Sequence, residues 1–318
     1  MLSNMPQIGF GLWKIPREDT AESVVEAVRA GYRHFDSAAD YANETETGEG
    51  IAQAIAEELV SRDDLWVTSK LWNTFHAPEH VEEACRKSLA DLQLDCLDLY
   101  LIHFPIALEY VPIKERYPPE WLHNPGAPNP VMKRAPVPLH ETWKAMEALV
   151  DKGLVKRIGV CNYNSALIHD LMSYARIKPA MLQIEAHPYL TQEKLIRCAT
   201  DYDIDVTAFS PLGAQSYFEL NMAEAGESLL GAAAVMVAAQ AHDKTPAQVL
   251  LRWGVQRGTA VIPKTTKPER MRENLAVDDF ALSNAEMAAI SSLNQDRRFN
   301  DPGVFTEAAF GTFHPIYD

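Results

Sequence analysis

The sequence predicts an α/β fold, a (β/α)8 TIM barrel with long loops over the C-terminal face of its sheet. Three observations predict it. Short apolar runs alternate with segments of helical period along the chain, as in a parallel sheet whose strands are joined by crossover helices. The length of 318 residues fits a barrel of about 250 residues enlarged by insertions. The open doubly wound alternative lacks its Gly-rich turn: "GFGLWK" has Gly9 and Gly11 but Lys14 where a third glycine belongs, with no helix starting there. Residues 1–318 read as one barrel domain.

In chain order the strand candidates are "IGFGLW", "RHFDSA", "LWVTSKL", "LDLYLIHF", "IGVCNY", "MLQIEAHP", "DVTAFSPL" and "AVIPKT". The intervening helical patterns include Thr20–Ala30, Ala77–Leu92, Leu139–Lys152, Thr191–Tyr202 and Thr245–Gln256. Thr20 and Thr191 are the expected caps of their helices, and Glu193 suits the dipole of a first turn. The uncharged window "SLLGAAAVMVAAQA" is too short to span a bilayer and reads as a buried helix. Two stretches exceed ordinary loop length: the proline-rich segment 105–141 after the fourth strand, and the tail from Asn294. Both are too aromatic for disorder, and long ordered loops at one end of a barrel usually cover a site.

The chain is 47% hydrophobic and 23% charged, enough to bury a large core. A net charge of −15, from 29 Lys+Arg against 44 Asp+Glu, argues against nucleic acid or an anionic membrane as partner. The four cysteines, at 85, 96, 161 and 198, lack C-x-x-C spacing. They read as reduced thiols of a cytoplasmic protein with no metal site. The start "MLSNMPQIGFG" carries no basic stretch and no long apolar run, so no signal peptide is expected.

In a barrel of this kind the chemistry lies at the C-terminal ends of the strands. The polar or aromatic residues there are Trp13, Asp36 with Tyr41, Lys70, His103, Asn162, Gln183 with Glu185 and His187, Ser210 and Lys264. Asp36, Lys70 and His103 each end an apolar run in place of a core residue. Singly, each has a plain structural role to offer: a helix cap, a solvated amine, a hydrogen-bonded core imidazole, a packing phenol. Together, on consecutive strands of one barrel, they form a mouth with three ionisable groups and a phenol.

A buried Asp36–Lys70 pair keeps Lys70 charged. That ammonium beside Tyr41 favours the phenolate and is expected to lower the phenol from its ordinary value near 10, making it a general acid. A neutral His103 could orient a carbonyl oxygen towards it. Such a site protonates a developing alkoxide, which implies a hydride donor and therefore a nicotinamide cofactor. Paired carboxylates at glycosidase spacing, a G-x-S-x-G elbow and a metal-ligand cluster are all missing from the sequence.

These residues fall within motifs that resemble the aldo-keto reductases over essentially the whole chain: "GYRHFDSAADYANE", "VTSKLWN", "LDLYLIHFP", "GLVKRIGVCNYN", "QIEAHPYL", "TAFSPLG" and "VIPKTTKPERMREN". The resemblance implies a tetrad of Asp36, Tyr41, Lys70 and His103, with Tyr41 as proton donor. It implies that Asn162 and Gln183 hold the nicotinamide carboxamide and that Phe209 stacks on the ring. Ser210–Glu219, Leu212 included, would fold over the pyrophosphate. Lys264, Thr265, Thr266, Arg270 and Asn274 would bind the adenosine end. Lys264 and Arg270 suit a 2′-phosphate, so NADPH is the expected donor, with NADH also accommodated. "HFPIALEYVPIKERYPPEW", "GAQSYFELN" and "RFNDP" resemble the branch acting on small aldoses such as xylose. On that pattern Trp13, Asp40, His103 and Asn300 would line the sugar site. The chain departs from the family in having Cys161 where Ser is common and Phe209 where Tyr is common. Its leading hairpin is trimmed to "LSNMPQI".

The expected activity is reduction of an aldose or aldehyde, as a monomer or homodimer. Two other readings use the same residues. One is reduction of a sugar phosphate, for which Lys114, Arg116, Lys133 and Arg134 in the long loop are candidate anion ligands. The other is a non-catalytic barrel that retains the cofactor site, against which the intact tetrad argues.

Overall fold

The computed structural model describes residues 5–317. Eight parallel strands run in sequence order around one sheet: β1 Phe10–Gly11, β2 His34–Asp36, β3 Trp66–Leu71, β4 Leu99–Ile102, β5 Ile158–Cys161, β6 Met181–Glu185, β7 Asp205–Phe209 and β8 Ala260–Val261. The first and last strands meet: Ile8 bridges Val261, and Gly9 N donates to Val261 O at 2.8 Å. The expected barrel is therefore present, with every candidate run contributing its strand. Residues 1–4 of the leading segment lie outside the described residues.

The helices are α1 Arg17–Ala30, α2 Glu44–Ala56, α3 Pro78–Asp91, α4 Leu139–Asp151, α5 Ser165–Tyr174, α6 Glu193–Asp201, α7 Ala233–His242, α8 Pro246–Gln256, α9 Pro268–Leu275, α10 Asn284–Ser291 and α11 Pro302–Phe310. Three local expectations are corrected. Thr20 does not cap α1, which begins at Arg17 after Pro16; its hydroxyl instead donates back to Pro16 O at 2.8 Å inside the first turn. Thr191 does not cap α6, which follows Gln192 in the left-handed region. Its amide donates to Asn294 Oδ1 at 3.0 Å and its carbonyl accepts from Arg257 Nη2 at 2.6 Å, so tertiary contacts claim its polar groups. The uncharged window is not a fully buried helix. Within α7, Val235, Ala238 and Ala239 are buried, while Met236 and Val237 are 48% and 67% exposed. Small residues let the helix lie on the surface without an amphipathic pattern to mark its outer face.

Alternation along the strands builds two cores. In β3, Val67 and Leu71 join the large cluster between sheet and helices, whereas Trp66 packs with Met5, Leu99, Leu101, Cys161, Met181 and Ala260. That second cluster fills the barrel interior. Continuing in steps of two along the interior side, Trp66 and Thr68 lead to Lys70, and Leu99 and Leu101 lead to His103. The interior thus changes from apolar to ionisable towards the C-terminal ends, and the change defines the floor of the mouth.

The turn that follows β2 is tied down from below. Asn43 Nδ2 donates to Leu12 O at 3.0 Å and Ile15 O at 3.1 Å, fixing the β1 loop beside residues 39–41. Glu44 begins α2 buried, with Ser69 Oγ at 2.5 Å and Ser88 Oγ at 2.8 Å from its carboxyl oxygens. Burial raises its pKa to about 7 against the lowering by those two hydroxyls. Between about pH 4.5 and 7 the unfolded chain has released this proton while the folded chain holds it, so stability falls as pH rises through that window. Glu44→Gln keeps the shape and removes the titration. Urea denaturation should show the variant gaining about 1–3 kcal/mol on the parent between pH 5 and pH 8; an equal difference at both pH values would contradict the assignment.

Candidate active site

A cavity of about 1290 Å³ opens at the C-terminal ends of the strands. Its floor is the β2–β4 arc. Lys70 is fully buried there, and its ammonium has three acceptors: Asp36 Oδ1 at 2.5 Å, Ser37 O at 2.8 Å and Tyr41 Oη at 3.0 Å. These use all three N–H donors of the side chain. The second Asp36 oxygen accepts from Gln183 Nε2 at 2.6 Å, linking β2 to β6 across the barrel. Because the phenol oxygen accepts from Lys70, its own proton is free to point into the cavity. Parallel register explains the meeting: Asp36 pairs with Thr68, one interior step before Lys70, and the long Lys70 side chain spans that step to the carboxylate.

Burial would lower the Lys70 ammonium, but Asp36 and Tyr41 outweigh it and hold the side chain above its ordinary range. For Tyr41 the expected direction is corrected. Burial pushes the phenol up, and Lys70 only pulls against that rise. The phenol is thus protonated at neutral pH, and the ammonium 3.0 Å away stabilises the anion formed once the proton leaves. His103 lies beside Tyr41, with ring centroids 5.8 Å apart, and is wedged against Trp72. Burial and the nearby Lys70 charge keep its pKa well below the ordinary value, so the ring is neutral.

The remaining predicted residues divide into three groups along the cavity. At the floor, Asn162, Gln183 and Phe209 line the cavity. Asn162 sits at φ 62 and Ser210 at φ 50, left-handed conformations that non-glycine residues adopt mainly where the fold imposes them. On one side, Trp13, Asp40 and Asn300 line the wall with Trp121 from the long loop. Burial and the charge of Glu120 raise Asp40 to about 7. At the far end, Ser210, Leu212, Glu219, Lys264, Thr265, Arg270 and Asn274 line the cavity. Thr266 is exposed at the turn into α9, beside the lining residue Thr265. Lys70, fully buried in the floor, is not itself a lining residue.

Two residues escaped the sequence reading as site components. Lys14 donates to Ser216 O and pairs with Glu219, clasping the segment after β7 across the cavity. Its only sequence signal was its position just past β1. Glu185 was noted only as a strand-end residue. It is fully buried and accepts from His187 Nε2 at 2.8 Å, Phe299 N at 2.9 Å and Asn300 N at 2.8 Å, which anchors the wall residue Asn300 to β6. Of the basic candidates for a phosphate ligand, Arg116 donates to Pro119 O and Leu122 O, and Lys133 pairs with Glu109 at 2.6 Å. Lys114, Arg116, Lys133 and Arg134 do not line the cavity.

The fold and this floor define a barrel oxidoreductase site of the lysine–tyrosine type. A profile of the Aldo/keto reductase family matches residues 7–295, and the chain belongs to that family. It is 51% identical over 315 residues to a probable NAD(P)H-dependent D-xylose reductase of Arthroderma otae, covering 98% of this chain and 94% of that one. The protein of the same description from Aspergillus clavatus is 49% identical over 321 residues, covering 98% and 96%. Among solved structures, the aldose reductase of Schistosoma japonicum superposes with a TM-score of 0.85 at 39% identity, covering 98% and 95%. A Bombyx mori aldo-keto reductase in complex with NADP gives 0.83 at 35% identity, covering 94% and 92%.

Proposed function

We propose that this enzyme reduces the carbonyl group of aldoses or aldehydes, D-xylose to xylitol included, at the expense of NADPH, with NADH also accepted. The observation that carries the proposal is the Lys70 ammonium held between Asp36 and Tyr41 at the floor of a deep cavity. The relatives' descriptions as NAD(P)H-dependent D-xylose reductases support the substrate and cofactor.

The cavity residues fit a dinucleotide. Two amides and an aromatic ring line the cavity with Tyr41, and Lys14, Lys264 and Arg270 give the far end positive charge in a chain of net charge −15. Asn162 and Gln183 would hold the carboxamide, Phe209 the ring, Ser210 to Glu219 the pyrophosphate, and Lys264, Thr265, Arg270 and Asn274 the adenosine end with its 2′-phosphate. Bound there, NADPH supplies the hydride. His103, neutral, orients the substrate carbonyl by a hydrogen bond, and Tyr41 Oη gives its proton to the oxygen as charge develops. Lys70 stabilises the phenolate left behind, and Asp36 keeps Lys70 charged and in place. Asp40 and Asn300 would hydrogen-bond sugar hydroxyls, and Trp13 offers a flat apolar wall. The sugar-phosphate reading lacks a cation on the aldose side of the cavity from the long loop.

The chain would act as one barrel domain, as a monomer or homodimer in which each chain carries a complete site. Its four free thiols suit a reducing cytoplasm.

Tyr41→Phe removes the proton donor and leaves the ring. Steady-state assays with D-xylose should show turnover falling by about 10² to 10⁴, with NADPH affinity by fluorescence titration within about twofold of the parent; retained turnover would refute the mechanism. Arg270→Ala should raise the Michaelis constant for NADPH about tenfold or more and that for NADH little, since only NADPH carries the 2′-phosphate. Equal changes would remove Arg270 from that contact.

A further inference from the structure

The tail returns to the cavity floor. Tyr317 Oη donates to Asn162 Oδ1 at 3.1 Å, a contact between residues 155 apart in sequence. The guanidinium carbon of Arg298 lies 3.6 Å from the centre of the Tyr317 ring. Arg298 Nη1 is buried without a hydrogen-bond acceptor among the described residues, so the ring face is what stabilises that part of the cation. The stack fixes the plane of the ring and leaves the hydroxyl at its edge to reach Asn162.

Asn162 is gripped at its other end as well, with Nδ2 donating to His103 O at 2.8 Å. Its backbone has left the strand conformation, at φ 62, so the strand does not dictate where the side chain points. The two hydrogen bonds do. An amide offers two N–H donors and two carbonyl lone pairs; one of each is consumed by His103 O and Tyr317 Oη, and one of each remains for a ligand.

We propose that Tyr317 is a positioning residue for the nicotinamide end of the cofactor: its hydroxyl, held in place by Arg298, fixes the Asn162 amide so that the remaining N–H and lone pair face the carboxamide. The proposal rests on the reading of this cavity as an NAD(P)H site. It makes the tail part of the cofactor site as well as a cover over the substrate side. Without the hydroxyl, Asn162 keeps its tether to His103 O but rotates about it, and the ordering of the amide has to be supplied when the cofactor binds.

Calorimetric titration of two ligands separates this role from a structural one. NADPH has the nicotinamide; 2′-phospho-ADP-ribose has the adenosine and pyrophosphate ends without it. Tyr317→Phe preserves the ring under Arg298 and should fold as the parent does. It should weaken NADPH about three- to tenfold, the loss of one hydrogen bond, and leave 2′-phospho-ADP-ribose unchanged. Asn162→Gly, which tolerates the positive φ, should weaken NADPH at least as much, and adding Tyr317→Phe to it should have no further effect. Equal weakening of both ligands in Tyr317→Phe would overturn the proposal in favour of a structural tail. Unchanged NADPH affinity in Tyr317→Phe with a loss in Asn162→Gly would overturn it while leaving the cofactor site standing. Unchanged affinity in Asn162→Gly would overturn the cofactor reading of Asn162 and the proposal with it.

Discussion

A primary ammonium stripped of water governs this site. Placing Lys70 at full burial inside the barrel costs several kcal/mol unless every donor finds a partner and the charge is matched. Asp36, Ser37 and Tyr41 meet that requirement together. The same three contacts that make the lysine tolerable also orient the phenol, whose oxygen serves as an acceptor for the ammonium and so turns its proton towards the cavity. Gln183 completes the set by occupying the second Asp36 oxygen, which leaves that carboxylate with little freedom to swing. The burial of the lysine and the orientation of the phenol are here one arrangement, delivered by neighbouring parallel strands β2 and β3.

The electrostatics of the cavity are graded along its length. The floor carries a charge-balanced pair, the wall carries Asp40, whose carboxyl is raised by burial and by nearby Glu120, and the far end carries Lys14, Lys264 and Arg270. An overall charge of −15 would repel a phosphorylated cofactor at long range, so the local cations decide where such a ligand is held. Lys14 has a second task, because its contacts with Ser216 and Glu219 clasp the segment after β7.

Much of this was legible in the residues. All eight strands stand out because each is a short apolar run bounded by turn residues, and the tetrad stands out because Asp36, Lys70 and His103 interrupt such runs where a core residue belongs. What was not legible depends on distance in space. Thr20 and Thr191 have the chemistry of caps, but Pro16 starts one helix earlier, and Asn294 and Arg257 claim the polar groups of the other. The α7 window looked like core because alanine is neutral to exposure. Lys14, Glu185 and Tyr317 owe their roles to partners 155 to 205 residues away or to backbone amides, and neither pattern nor spacing marks such contacts. The direction of the Tyr41 shift was missed for the same reason: its neighbour in charge was evident, whereas the depth of its burial required the fold.

The central claim is that Asp36 contributes through Lys70 and has no separate path to the chemistry. A double-mutant cycle in single-turnover NADPH oxidation, with Lys70→Met, Asp36→Asn and both together, measures this directly. The account predicts that each single change slows hydride transfer strongly and that the double variant is no slower than Lys70→Met. Losses that multiply in the double variant would show that the two residues act independently, and would contradict it.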